Sequence, residues 1–176
     1  FHETVHFKSF ASVNVHVPGD RRTGLVVVSE NGATAFGPLN EAVTESLTKR
    51  FVRSQERLPL FERDVDLLER GRQAYGDEEM NDVVVIRDKG DEWSFEKFAY
   101  PEERQALDLL ISKLRVRNPN VFPETEDCFD LFASAMFNGH LLELARIIEK
   151  TFGQGAFRTL GEYYTGEALL EYVISL

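Results

Sequence analysis

The chain has 176 residues, 43% hydrophobic and 28% charged, with 12 Gly and 6 Pro. That is an ordinary globular composition, long enough to bury a core without staples, and it excludes collagen, low complexity and wholesale disorder. Against 20 Lys and Arg stand 30 Asp and Glu, a net charge of −10, which argues against a general phosphate-neutralising surface and sets nucleic acid aside as a partner.

From Thr4 to Val17 one parity carries Val5, Phe7, Ala11, Val13, Val15 and Val17, and the other carries Thr4, His6, Lys8, Ser12, Asn14 and His16. A period of two predicts a half-buried strand, bent or bulged near Ser9 to Ala11 because it exceeds the usual length. Phe10 breaks the pattern by placing an aromatic ring on the polar face. Pro18-Gly19-Asp20 turns the chain, and Gly24 to Ser29 and Ala33 to Phe36 flank Asn31-Gly32, a hairpin signal. Three antiparallel strands are therefore expected in this region.

After Gly37-Pro38 the period changes. Leu39, Val43, Leu47 and Phe51 recur every four residues, which predicts an amphipathic helix that Pro38 can start. Leu58-Pro59 interrupts it, and a second helix places Val65, Leu68 and Tyr75 on one face before Gly76-Asp77. The acidic tract Asp77-Glu78-Glu79 is expected to be exposed. Val83 to Ile86 and Trp93 to Phe98 flank Asp88-Lys89-Gly90-Asp91 and read as a second hairpin. Pro101-Glu102-Glu103 opens a helix whose buried stripe is Ala106, Leu107, Leu110, Ile111 and Leu114. A loop over Asn118 to Pro123 precedes helices around Asp127 to Phe137, Leu141 to Phe152 and Glu167 to Ile174.

Strands first and helices last predict an α+β fold. Its largely antiparallel sheet comes from two hairpin regions, three N-terminal strands and a later hairpin, packed against helices, with a helical C-terminal third. A single domain over 1–176 is expected, with 124–176 as the candidate helical subdomain. Cys128 stands alone and cannot form an intrachain disulfide, which points to a reducing, cytoplasmic setting. No apolar run approaches the roughly 20 residues of a membrane span. No basic segment followed by an apolar one opens the chain, so no signal peptide is expected.

The candidate chemistry is sparse. On a straight strand His6 and His16 stand roughly 33 Å apart and His2 and His6 about 13 Å apart, so the strand reading makes them solvent-facing side chains rather than metal ligands. Asn138-Gly139 reads as a turn between helices, which sets Cys128 roughly 15 Å from His140 and makes it a buried thiol with neighbours around Ile148. Asp88-Lys89-Gly90-Asp91-Glu92 with Glu96 offers hard oxygens, but its glycine falls at the third position, not the sixth that a calcium loop needs. Glu124, Glu126, Asp127 and Asp130 open a helix, where carboxylates favour the dipole. Phosphate-loop, dinucleotide, Gly-x-Ser-x-Gly and His-Glu-x-x-His patterns are absent, and no cofactor or metal is expected. Lys49, Arg53 and Arg57 recur at four-residue spacing opposite the apolar face of their helix, forming a basic outer stripe. The run Phe132 to Glu149, with Asn138-Gly139-His140-Leu141-Leu142 at its centre, resembles the helix, Gly-His turn and helix of an ankyrin repeat; that resemblance implies a protein-binding surface without chemistry.

Together these features favour a non-catalytic acidic module that binds another protein, by charge complementarity a basic one, as an inhibitor or immunity-type protein does. Its contact residues would be the aromatics Phe10, Trp93, Tyr163 and Tyr164 and the basic stripe Lys49, Arg53 and Arg57. One alternative is a small hydrolase or transferase whose cleft assembles dispersed carboxylates with His140 or His16. Another is an assembly domain of a longer protein that pairs through the first strand as a homodimer.

Overall fold

The computed structural model describes residues 2–13, 21–55, 62–88 and 93–176; within these, the side chains of 13, 62–64, 85, 88 and 93 are not described. In chain order the elements are α1 (His2–Lys8), β1 (Ala11–Val13), β2 (Arg21–Thr23), β3 (Val26–Val28), β4 (Thr34–Ala35), α2 (Gly37–Gln55), α3 (Glu62–Tyr75), α4 (Asp77–Met80), β5 (Val83–Asp88) and β6 (Trp93–Lys97). Five helices follow: α5 (Pro101–Arg117), α6 (Thr125–Asn138), α7 (Leu141–Phe152), α8 (Ala156–Glu162) and α9 (Gly166–Ser175). The fold is α+β, with antiparallel strands early and helices late. No helix among the described residues is long and apolar enough to cross a membrane.

The chain divides into two compact units, Phe1–Thr44 with Tyr100–Leu176, and Glu45–Ala99; the division falls within α2. In the first unit the four short strands lie in the order β1-β2-β3-β4, every pair antiparallel, with Arg22 opposite Ser12 on one side and Val27 on the other. The β3–β4 turn is closed as Asn31-Gly32 suggests. Ser29 N–H donates to Ala33 O at 2.9 Å, Ala33 N–H to the Asn31 carbonyl oxygen at 3.0 Å, and Gly32 takes φ +79°, which an L side chain resists. Helices supply the core of this unit. Leu107, Leu110 and Leu114 of α5, Phe132 and Met136 of α6, Leu144 and Ile148 of α7, and Leu169 of α9 are fully buried, each contributing about 1.5–3 kcal/mol by leaving water. A reciprocal capping box between Glu124 and Asp127 opens α6, and Glu149 caps the short α8 by accepting from Gly155 N at 2.5 Å and Phe157 N at 2.9 Å.

The second unit joins the rest of α2 to α3, α4 and the β5–β6 hairpin. Among its described residues Met80 and Val83 are fully buried, and Gly71 of α3 passes so near Met80 that a Cβ there would lie 2.6 Å from the methyl. Its two ends are closed by Ala99 N–H donating to Glu45 Oε1 at 2.8 Å.

The long first strand is not formed. Residues 2–8 are helical, Ser9 and Phe10 are neither helix nor strand, Ala11–Val13 is strand, and residues 14–20, which include the Pro18-Gly19-Asp20 turn, lie outside the described residues. The alternation that suggested a strand required Val5 and Phe7 to share a buried face. Val5 is 5% exposed and Phe7 84%, which a helix allows because adjacent odd positions point about 200° apart.

Candidate metal centre

The helical N-terminus changes what its histidines can do. His2 and His6 lie one turn apart on α1 and project side by side, as residues four apart do. The buried Val5 holds the adjacent face of the helix against the fold. At the C-terminal end Ser9 Oγ donates to Val5 O at 2.9 Å, Ser9 N–H to His6 O at 3.2 Å, and Phe10 N–H to Met136 O at 2.9 Å, so the chain leaving α1 is anchored to the end of α6. Near its start, α2 presents Glu41 to the histidine pair.

Three donor atoms converge. His2 Nε2 is 3.0 Å from His6 Nε2, and Glu41 Oε2 lies 3.4 Å from each. The three side chains are 24%, 28% and 26% exposed, so the cluster is partly shielded yet reachable from solvent. A tetrahedral zinc with bonds of about 2.0–2.2 Å requires neighbouring donors about 3.3–3.6 Å apart, and a right-angled pair at the same bond lengths requires about 2.8–3.1 Å. The observed triangle falls within those limits. Two imidazoles, which are borderline ligands, and one hard carboxylate make a set suited to zinc and its first-row neighbours, and three ligands leave at least one position for water or another ligand.

Two further side chains frame the cluster. Tyr100, held at φ +55° ahead of α5, stacks on His2 with ring centroids 5.9 Å apart and planes 18° apart. Asn40, only 3% exposed, places Nδ2 3.4 Å from His6 Nδ1 while its Oδ1 accepts the Leu25 N–H at 3.0 Å. The chain matches no family model, and no curated protein or solved structure matches it either. The site therefore rests on its own geometry.

The residues singled out from sequence lie elsewhere. Phe10 is half-buried; the Arg22 guanidinium covers its ring at 5.1 Å, and a Cβ on Gly139 would come within 3.0 Å of it. Lys49 pairs with Asp82 at 3.0 Å, and Arg53 donates to the carbonyls of Asn81 at 2.7 Å, Val83 at 3.3 Å and Met80 at 3.4 Å; both cations lie within 6 Å of the Phe98 ring centre. These two members of the basic stripe thus tie α2 to the start of β5 within their unit. Arg57 lies outside the described residues, as does His16; Trp93 is paired with Asp88 in β6, but its side chain is not described. Tyr163 is half-buried against Tyr172, centroids 5.3 Å apart, whereas Tyr164 is 76% exposed.

Cys128 is buried, as its apolar reading requires, and burial, then the Asp127 charge, push its thiol up to about 11 against a smaller opposing effect of Arg115. His140 is exposed at the α6–α7 turn. Ser134 Oγ at 3.0 Å and Glu143 Oε2 at 3.6 Å both face its Nδ1, so no relay runs from carboxylate through the ring to the hydroxyl, which would need the two partners on opposite nitrogens.

The sequence reading missed His2, His6 and Glu41. The i, i+4 spacing of His2 and His6 was the available signal, and it carries meaning only once residues 2–8 are known to be helical. Nothing in the sequence pointed from that pair to Glu41.

Proposed function

We propose that the protein binds a divalent transition metal of the zinc class through His2 Nε2, His6 Nε2 and Glu41 Oε2. The observation that carries this reading is the spacing of the three donor atoms, 3.0, 3.4 and 3.4 Å, which fits the edges of a first-row metal's coordination polyhedron. The metal would supply positive charge and an open coordination position, while α1 and α2 supply the ligands and their orientation. Isothermal titration with Zn²⁺ tests it: one ion per chain is expected, with at least about a tenfold loss of affinity in His6→Ala and in Glu41→Gln, since each removes one of three ligands. Equal titrations in the parent and both variants would overturn it.

A second reading keeps the chain as an acidic module that engages a basic protein, as inhibitor and immunity-type proteins do. What supports it is the net charge of −10 together with Tyr164 and Leu142, 76% and 71% exposed in the helical part of the first unit. A pull-down should recover a basic partner whose association weakens steeply as salt rises, and weakens again in Tyr164→Ala. A salt-insensitive complex, or one indifferent to Tyr164, would count against this reading.

A further inference from the structure

We propose that Asn40 limits how tightly the site holds its cation, because loading the metal sets its amide in competition with the turn between β2 and β3. This inference rests on the metal-binding reading above. Asn40 is buried, and its Oδ1 accepts the N–H of the fully buried Leu25 at 3.0 Å. That bond fixes which way the amide points: the oxygen faces the turn and Nδ2, a donor, faces His6 Nδ1 at 3.4 Å. The turn is pressed onto the amide as well. Gly24 takes φ +60°, and a Cβ there would lie 2.6 Å from Asn40 Oδ1.

Without a metal the arrangement is self-consistent. His6 Nδ1 accepts from Asn40, its ring proton sits on Nε2, and that proton is donated toward His2 Nε2 or Glu41 Oε2. A cation on His6 Nε2 needs that lone pair, so the ring's remaining proton must sit on Nδ1. There it meets Asn40 Nδ2, donor against donor. A metal-ligating histidine ordinarily donates its second N–H to an acceptor, and losing such a partner typically costs 10- to 100-fold in affinity. Rotating the amide would offer His6 an oxygen but turn the NH₂ group on the Leu25 N–H, stranding a buried donor. The metal thus acts through Asn40 on the β2–β3 turn, and the turn acts on the metal in equal measure.

The Asn40→Asp variant separates the two demands, since one carboxylate oxygen can keep the Leu25 bond while the other accepts from His6 Nδ1–H. Zn²⁺ titration of this variant is expected to show about 10- to 100-fold tighter binding than the parent. Added charge alone could contribute to that gain, so the deciding readout is hydrogen exchange at the Leu25 amide. In the parent chain Zn²⁺ should speed exchange there by about tenfold, and in Asn40→Asp it should leave it unchanged. The parent measurement stands whether or not the variant folds. If Zn²⁺ binds the parent but Leu25 exchange does not move, the coupling is refuted and the metal site survives. Affinity within twofold in a folded Asn40→Asp also refutes it. If the parent binds no Zn²⁺, both fall together.

Discussion

Arg22 ties several parts of the frame around the site together, and replacing it gives a sharp test. Its guanidinium donates to Gly24 O at 2.8 Å, to Gly139 O at 3.2 Å and to Ala135 O, and it covers Phe10 at 5.1 Å. It therefore closes the carbonyl end of α6, holds the β2–β3 turn and pins the residue that leaves α1. Burial lowers its pKa, but arginine keeps its charge in proteins. Hydrogen bonds from a charged donor contribute about 1.5–3 kcal/mol each when fully made, and a cation over an aromatic face about 0.5–2 kcal/mol. Arg22 is only half-buried, so water would recover part of this for the abandoned carbonyls; the Arg22→Met variant, which keeps the apolar stem, should lose about 2–4 kcal/mol. For a chain of this size that lowers Tm by about 5–15 °C. Urea unfolding followed by far-ultraviolet circular dichroism measures the loss. Arg21→Met, at the exposed neighbouring position of the same strand, is the control and should stay within about 0.5 kcal/mol. Equal effects at the two positions would refute the reasoning.

Other outcomes follow from the same geometry. Gly139→Ala faces both φ +81° and the Phe10 ring, whereas Gly155, left-handed as well at φ +92°, has open space around its Cβ position; Gly139→Ala should be the more destabilising by about 1–3 kcal/mol in parallel unfolding curves. The raised pKa of the Cys128 thiol, about 11, keeps it protonated at pH 8, so a disulfide reagent should label it only after denaturant unfolds the chain, and rapid labelling of the native protein would contradict its placement. Arg53→Ala should lower the stability of the second unit by about 1–3 kcal/mol, seen as faster hydrogen exchange across β5; an unchanged exchange pattern would refute its role in tying α2 to β5.

How far the sequence was legible depended on the length of each element. The stripe Ala106, Leu107, Leu110, Ile111, Leu114 identifies α5 because five apolar positions over more than two turns leave no other period, and all five are buried. Asn31-Gly32 identifies the β3–β4 hairpin because the turn chemistry is local. The α6–Gly139–α7 corner is legible for the same reason, since Gly139 takes φ +81° where the sequence placed a turn. The seven residues of α1 were not legible: over so short a span, alternation and helical spacing fit the same letters, and tertiary contacts at Val5 and Phe10 decide between them. The short α4 and α8, of four and seven residues, passed unnoticed because one or two turns hold too few apolar positions to reveal a period. The same ambiguity hid the site, because the strand reading set His2 and His6 about 13 Å apart where the helix puts them in contact. Lys49 and Arg53 show the opposite limit: their shared face was legible, but not that Asp82 and the β5 carbonyls would occupy it.

The central claim is that His2, His6 and Glu41 form one cation site, and Co²⁺ titration followed by visible absorption tests it most directly. The account predicts that one equivalent of Co²⁺ produces the intense bands of a four- or five-coordinate nitrogen and oxygen site, that Zn²⁺ displaces them, and that they vanish when both His2 and His6 are replaced by Ala. A spectrum that stays that of the hydrated ion, or one the double variant reproduces, would contradict it.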